Sequence, residues 1–222
     1  DVPLDSDLGS SADKLVNING PDVVVDNNEF NVSAGTGDGN SAGSTTNRNN
    51  FFTVQQGADN VEITNNTIAD NAVDGFAAMQ VVQVNGDNLL FDGNTVDAHS
   101  GVYLSGGEAT VSNNEMTMLD YAVGTSPSGT RDPSGSSITD NTMLHVEPSN
   151  GDANSGLTPS GAAIDISDGD NMVLTNNTID GQSTEFTYGI WFNSNSATTL
   201  ANATVNGTTE ITNVSDDGIR IN

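Results

Sequence analysis

One short phrase returns along the chain with an Asn at its centre, and it restricts the fold more than any bulk property does. The copies are VVVDNNEF (23–30), VEITNNTI (61–68), LLFDGNTV (89–96), ATVSNNEM (109–116), SSITDNTM (136–143) and MVLTNNTI (172–179). Apolar side chains alternate before the central pair, as in Val61/Ile63 and Leu89/Phe91, and one more follows two places after it. Period-two alternation broken by a turn signal reads as strand, bend, strand. The first central position is Asn27, Asn65, Gly93, Asn113, Asp140 or Asn176, a set that tolerates a left-handed backbone. The second is always Asn: Asn28, Asn66, Asn94, Asn114, Asn141 and Asn177. A bend alone would accept Gly or Asp there. An invariant amide implies side chains that donate to and accept from copies above and below, about 4.8 Å apart. The fold class expected is all-β, a single-stranded right-handed parallel β-helix with an internal Asn ladder.

The landmarks divide the 222 residues into an N-terminal irregular segment or first-coil cap (1–22) and a solenoid (23–222). Gly-, Ser-, Asn- and Pro-rich stretches at 33–50, 126–135 and 147–161 read as surface loops inserted into coils. A second strand recurs between the Asn phrases, often opened by Gly: FFTV (51–54), VVQV (81–84), GVYL (101–104), AVGT (122–125), AIDI (163–166), GIWF (189–192) and GIRI (218–221). In LANATV (200–205) and EITNVS (210–215), Ala203 and Val214 stand where the ladder Asn is expected, so the ladder should end after Asn177.

These N-N-x-I and G-I-x-φ coils resemble the right-handed parallel β-helix proteins of the pectin-lyase-like superfamily over residues 23–222. The resemblance implies the fold and leaves function open. That superfamily holds polysaccharide lyases, glycoside hydrolases, epimerases, phage tailspikes and non-catalytic surface proteins.

Charge narrows the classes. Thirty acidic residues face four basic ones (Lys14, Arg48, Arg131, Arg220), for a net charge of −26. No basic patch can form to displace counterions, which excludes nucleic acid, and an anionic membrane would repel the chain. No transmembrane stretch, signal peptide or cysteine is present. Abundant Asp with almost no Lys suits a saline, extracellular or cell-surface setting, where salt screens self-repulsion.

On the Gly-opened strand the central outward position is Thr53, Gln83, Tyr103, Gly124, Asp165, Trp191 and Arg220. Just before it come His99, Asp120, Tyr121, Tyr188, Asp216 and Asp217. Rings beside carboxylates and amides suit a sugar, which stacks on one and hydrogen-bonds the other. The glycan-binding candidates are therefore Tyr103, Tyr121, Asp165, Tyr188, Trp191 and Arg220, although aromatics also populate exposed strands by propensity alone. No catalytic set is assigned. The superfamily's lyases and epimerases generally use Arg or Lys to hold a uronate, and here only Arg220 lies on the face.

Calcium is the one cofactor the composition suggests. Asp38, Asp152, Asp168 and Asp170 sit on Gly-containing turns of suitable oxygen chemistry, though none matches a known calcium loop. His99 and His145 lie apart, which disfavours a transition metal. Of six N-x-[ST] sequons, Asn202, Asn206 and Asn213 are the better glycosylation acceptors, while Asn65 and Asn176 belong to the phrase. Solenoid ends expose strand edges, and GIRIN stops on a strand residue, so copies stacked end to end are an expected partner alongside a glycan. The leading reading is an extracellular structural or adhesive module, able to assemble as a filament or surface fibre, with glycan contact on one face. The alternative is a polysaccharide lyase, epimerase or glycoside hydrolase.

Overall fold

A computed structural model describes residues 2–4, 14–34, 49–70, 79–118, 120–125, 132–146, 161–182, 186–193, 201–207 and 209–222. Its strands stack into three parallel sheets, and each turn of the chain visits all three in the same order. The first sheet holds the strands that lead into the Asn phrase: Val24–Asp26, Glu62–Thr64, Leu89–Asp92, Ala109–Ser112, Ser137–Thr139, Val173–Thr175 and Thr204–Asn206. The second holds the strands that leave it: Val2–Leu4, Glu29–Ala34, Thr67–Asp70, Thr95–Ala98, Glu115–Met118, Thr142–His145, Thr178–Asp180 and Glu210–Thr212. The third holds the Gly-opened strands: Lys14–Ile18, Asn49–Val54, Met79–Val84, Ser100–Leu104, Val123–Thr125, Ala162–Ile166, Tyr188–Phe192 and Ile219–Ile221.

Alternation puts one apolar residue of each strand inside, and parallel register stacks it on its equivalent. In the first sheet Ile63, Phe91, Val111, Ile138 and Leu174 form one column. In the second, Ile68, Val96, Met116, Met143 and Ile179 form another. The third contributes Phe52, Val82, Val102, Val123, Ile164 and Ile190. All are sealed from solvent and share one core, so each coil's apolar set is buried by its neighbours above and below.

The bend between the first two sheets carries the ladder. Asn27, Asn65, Gly93, Asn113, Asp140 and Asn176 all have φ between 54° and 66°, the left-handed turn their residue types suggest. The following Asn points inward. Its Nδ2 donates to the next Oδ1 at 3.1 Å (Asn28–Asn66), 3.1 Å (Asn66–Asn94), 3.1 Å (Asn94–Asn114), 2.9 Å (Asn114–Asn141) and 3.0 Å (Asn141–Asn177). Each Oδ1 also accepts the previous Asn backbone N–H, as from Asn94 to Asn114 at 2.9 Å. From Asn66 onward, the second Nδ2 proton reaches a carbonyl one coil back, as from Asn114 to Phe91 at 2.9 Å. From Asn66 to Asn141 every amide capacity is thus used in a buried column, a demand only Asn meets at this length.

Three expectations change. The segment 1–22 is not wholly irregular: Val2–Leu4 and Lys14–Ile18 are strands, paired with Val32–Ala34 and with Asn50–Val54 as rungs of the solenoid. Most of the three inserted stretches lies outside the described residues, but strands extend to Ala34 and begin again at Asn49, and Ser134 and Gly135 form a turn closed by the Ser136 N–H on the Pro133 carbonyl. The ladder does end at Asn177, but not at Ala203 and Val214. Register pairs Thr175 with Asn206 and Thr178 with Glu210, so the next coil has one more residue between these two strands than the coil before it. The repeated N-x-T spelling of this region hides that shift.

Candidate functional site

The outward faces of the sheets differ in chemistry. The second sheet shows Thr67, Thr95, Glu115, Thr142, Thr178 and Glu210, all exposed and small or acidic. The third carries the large side chains. Its register aligns Asn17, Thr53, Gln83, Tyr103, Gly124, Asp165, Trp191 and Arg220 in a single column. At about 4.8 Å per rung, Tyr103 to Arg220 spans about 19 Å.

Gly124 interrupts the column for a steric reason. A Cβ there would lie 3.1 Å from the Tyr121 ring and 3.3 Å from that of Tyr103. The two rings therefore lean over a position without a side chain, their centroids 6.0 Å apart. Tyr103 is half-buried, whereas Tyr121 is sealed and donates its hydroxyl to Gln80 Oε1 at 2.9 Å. Tyr121 is thus part of the floor, not an exposed stacking surface. Further along, half-buried Tyr188 and Trp191 meet with ring centroids 5.5 Å apart. The Arg220 guanidinium lies 5.7 Å from the Tyr188 ring centre and is held by Asp217 at 3.1 Å and Asn222 Oδ1 at 3.0 Å.

Between the aromatic groups sit two carboxylates. Asp120 is buried and accepts from Ser100 Oγ at 3.3 Å, and Ser100 Oγ lies 2.9 Å from His99 Nδ1. His99 and Ser100 are buried as well, so a polar line runs beneath the face. Asp165 is pushed up to about 6, first by burial and then by the negative charge of Asp120. Its Oδ1 is sealed without a hydrogen-bond partner, and so is Nε1 of Trp191 on the adjacent rung. Ser100 and Gln80 went unnoticed in the sequence. The signal available was that Asn50, Gln80 and Ser100 each stand one place before the recurring strand.

The remaining sites separate. Asp168 and Asp170 flank Gly169, and Asp170 Oδ1 accepts the Ala201 N–H at 2.7 Å. Burial, then the charges of Asp132 and Asp170, raise the Asp168 carboxyl. Among the described residues no group of three or more His, Cys, Asp or Glu is placed to hold a metal ion. Asp38 and Asp152 lie outside the described residues. His145 packs its ring against Phe186 at 4.7 Å. The exposed sequon residues take part in cross-coil bonds: Asn202 donates to Asn171 at 3.3 Å, Asn213 to Asp180 at 2.8 Å, and Asn206 accepts from Thr175. Among the described residues no helix is long and apolar enough to cross a membrane.

Three stacked parallel sheets, a buried Asn column and one aromatic-acidic face define a parallel β-helix protein. The family model "Right handed beta helix region" matches residues 80–222, well over half of the chain, and the chain belongs to that family. Membership of the pectin-lyase-like superfamily is consistent with it. No curated protein and no solved structure matches the chain.

Proposed function

We propose that the chain is a glycan-contacting β-helix module whose ligand lies along the outer face of the third sheet. The observation that carries the reading is the column itself. Tyr103, Asp165, Trp191 and Arg220 share one register on a rigid sheet, with Tyr188 stacked beside Trp191. Half-buried rings offer stacking area at low entropic cost, and the carboxylate between them fixes orientation. An acidic, cysteine-free solenoid of this kind fits an extracellular or cell-surface setting. The test is a glycan array probed with the wild type, Tyr103→Ala and Trp191→Ala. Specific binding lost in both variants, with their folds intact, supports the reading; binding that survives both removes it.

A second reading rests on Asp165 and Asp120. A carboxyl held near 6 beside a second carboxylate is suited to give up a proton at neutral pH, as a glycoside hydrolase requires of its acid. Depolymerisation of a bound glycan, abolished in Asp165→Asn while binding persists, is the result that would make the module an enzyme.

A further inference from the structure

The third-sheet face also bears on what kind of sugar it takes, given that it takes one. Three polar atoms on this face are sealed from solvent and unpartnered: Thr53 Oγ1, several rungs away, and on adjacent rungs the acceptor Asp165 Oδ1 and the donor Trp191 Nε1. The last two belong to residues paired across those rungs, about 4.8 Å apart. Buried polar groups left unpaired are costly, and a pair of opposite hydrogen-bonding sense is met by one group that both donates and accepts. A hydroxyl does so. An ammonium could donate to Asp165 but could not accept from Trp191. A carboxylate could accept from Trp191 but would face Asp165 itself and Asp120, whose charge already acts on Asp165.

Nothing on the described part of this face offsets that repulsion. Arg220 is tied to Asp217 at 3.1 Å and to Asn222 at 3.0 Å, and Asp216 lies beside them. A uronate would therefore meet carboxylates and a cation already neutralised.

Resting on the glycan reading above, we propose that the sugar held at the Asp165–Trp191 rungs is neutral, that it displaces the atoms now covering Asp165 Oδ1 and Trp191 Nε1 and binds through one hydroxyl that donates to Asp165 and accepts from Trp191, and that uronates are rejected there. The same burial and charge that raise the Asp165 carboxyl penalise a second anion beside it.

The experiment is titration of the full chain with soluble neutral polysaccharides (a glucan, a mannan, a xylan) and two polyuronates (polygalacturonate, alginate). Salt at about 1 M confines the comparison to short range, because the Debye length is then about 3 Å. At least one neutral polymer should bind about tenfold or more tighter than either polyuronate. Trp191→Phe keeps a ring and loses the N–H, and should weaken the neutral ligand about tenfold, as expected for one buried hydrogen bond. Asp165→Asn removes the charge and should narrow the gap between neutral and acidic polymers. Thermal melts and circular dichroism confirm that both variants fold. Polyuronate binding as tight as neutral binding overturns the inference and leaves the glycan reading standing. Unchanged affinity in Trp191→Phe overturns the hydroxyl bridge. Binding to none of the polymers overturns both the inference and the reading beneath it.

Discussion

At the residue scale the two middle positions of the Asn phrase do different work. Asn113 sits at φ 54° on the surface, and its Nδ2 reaches Asp92 Oδ1 at 2.7 Å. Asn114 is buried, accepts two bonds from Asn94 and donates to Asn141 and Phe91. Asn114→Ala leaves several buried groups unpaired and should cost about 3 kcal/mol or more. Asn113→Ala meets left-handed strain and should cost about 1 kcal/mol. Urea denaturation of the two variants checks the order, and equal losses would mean that the ladder is not the reason for the invariant amide. Asp26 shows the ladder's outer counterpart: bonds from Asn65 at 2.9 Å and Thr64 at 2.8 Å hold its carboxyl below the ordinary carboxylate value. Its contribution is present at neutral pH and is lost as pH falls through that lowered value.

At the scale of the strand, close approach and charge both act on the third sheet. A Cβ on Gly101 would lie 2.1 Å from the Ala122 carbonyl oxygen, whereas one on Gly20 would meet nothing within 4 Å. Gly101→Ala should therefore cost about 3 kcal/mol by overpacking and Gly20→Ala almost nothing, read as midpoint shifts in denaturant. Asp165 behaves in the opposite sense to Asp26. Unfolded, it ionises near 3.8; folded, it holds its proton up to about 6. Between those values the folded state binds more protons, so stability falls as pH rises through the window. Asp165→Asn should stabilise the chain at pH 7 by about 2 kcal/mol and leave it unchanged near pH 3. A melting temperature that fails to rise at pH 7 would show that the carboxylate has found compensation.

At the scale of the whole molecule, a net charge of −26 on 222 residues is the largest long-range force against the folded state. Added salt screens it, with a Debye length falling from about 10 Å at 0.1 M to about 3 Å at 1 M. The melting temperature should rise across that range of sodium chloride, and an unchanged value would mean that local bonds such as those at Asp26 already absorb the repulsion. Calcium is separable from this screening. If EDTA at low salt leaves the melting temperature where it was, none of the acidic turns holds a structural ion.

What the sequence determined by itself was everything with a period. The Asn ladder, the left-handed bends and the column Tyr103–Gly124–Asp165–Trp191–Arg220 could be read because each repeats once per coil and because parity assigns inside from outside. The tertiary structure decided what depends on contacts between coils. Tyr121 and Tyr103 have the same chemistry, yet Tyr121 is sealed, packed over the bare Gly124 of its own coil and bonded to Gln80 two rungs away, a contact between coils that no single phrase contains. The turn between Asn206 and Glu210 is hidden in the sequence because the N-x-T spelling around it imitates the phrase, while backbone pairing alone marks where the coil turns. The unpartnered atoms of Asp165 and Trp191 lay beyond reach for the same reason. Whether a polar atom finds a partner is fixed by neighbours tens of residues away in sequence and one strand spacing away in space.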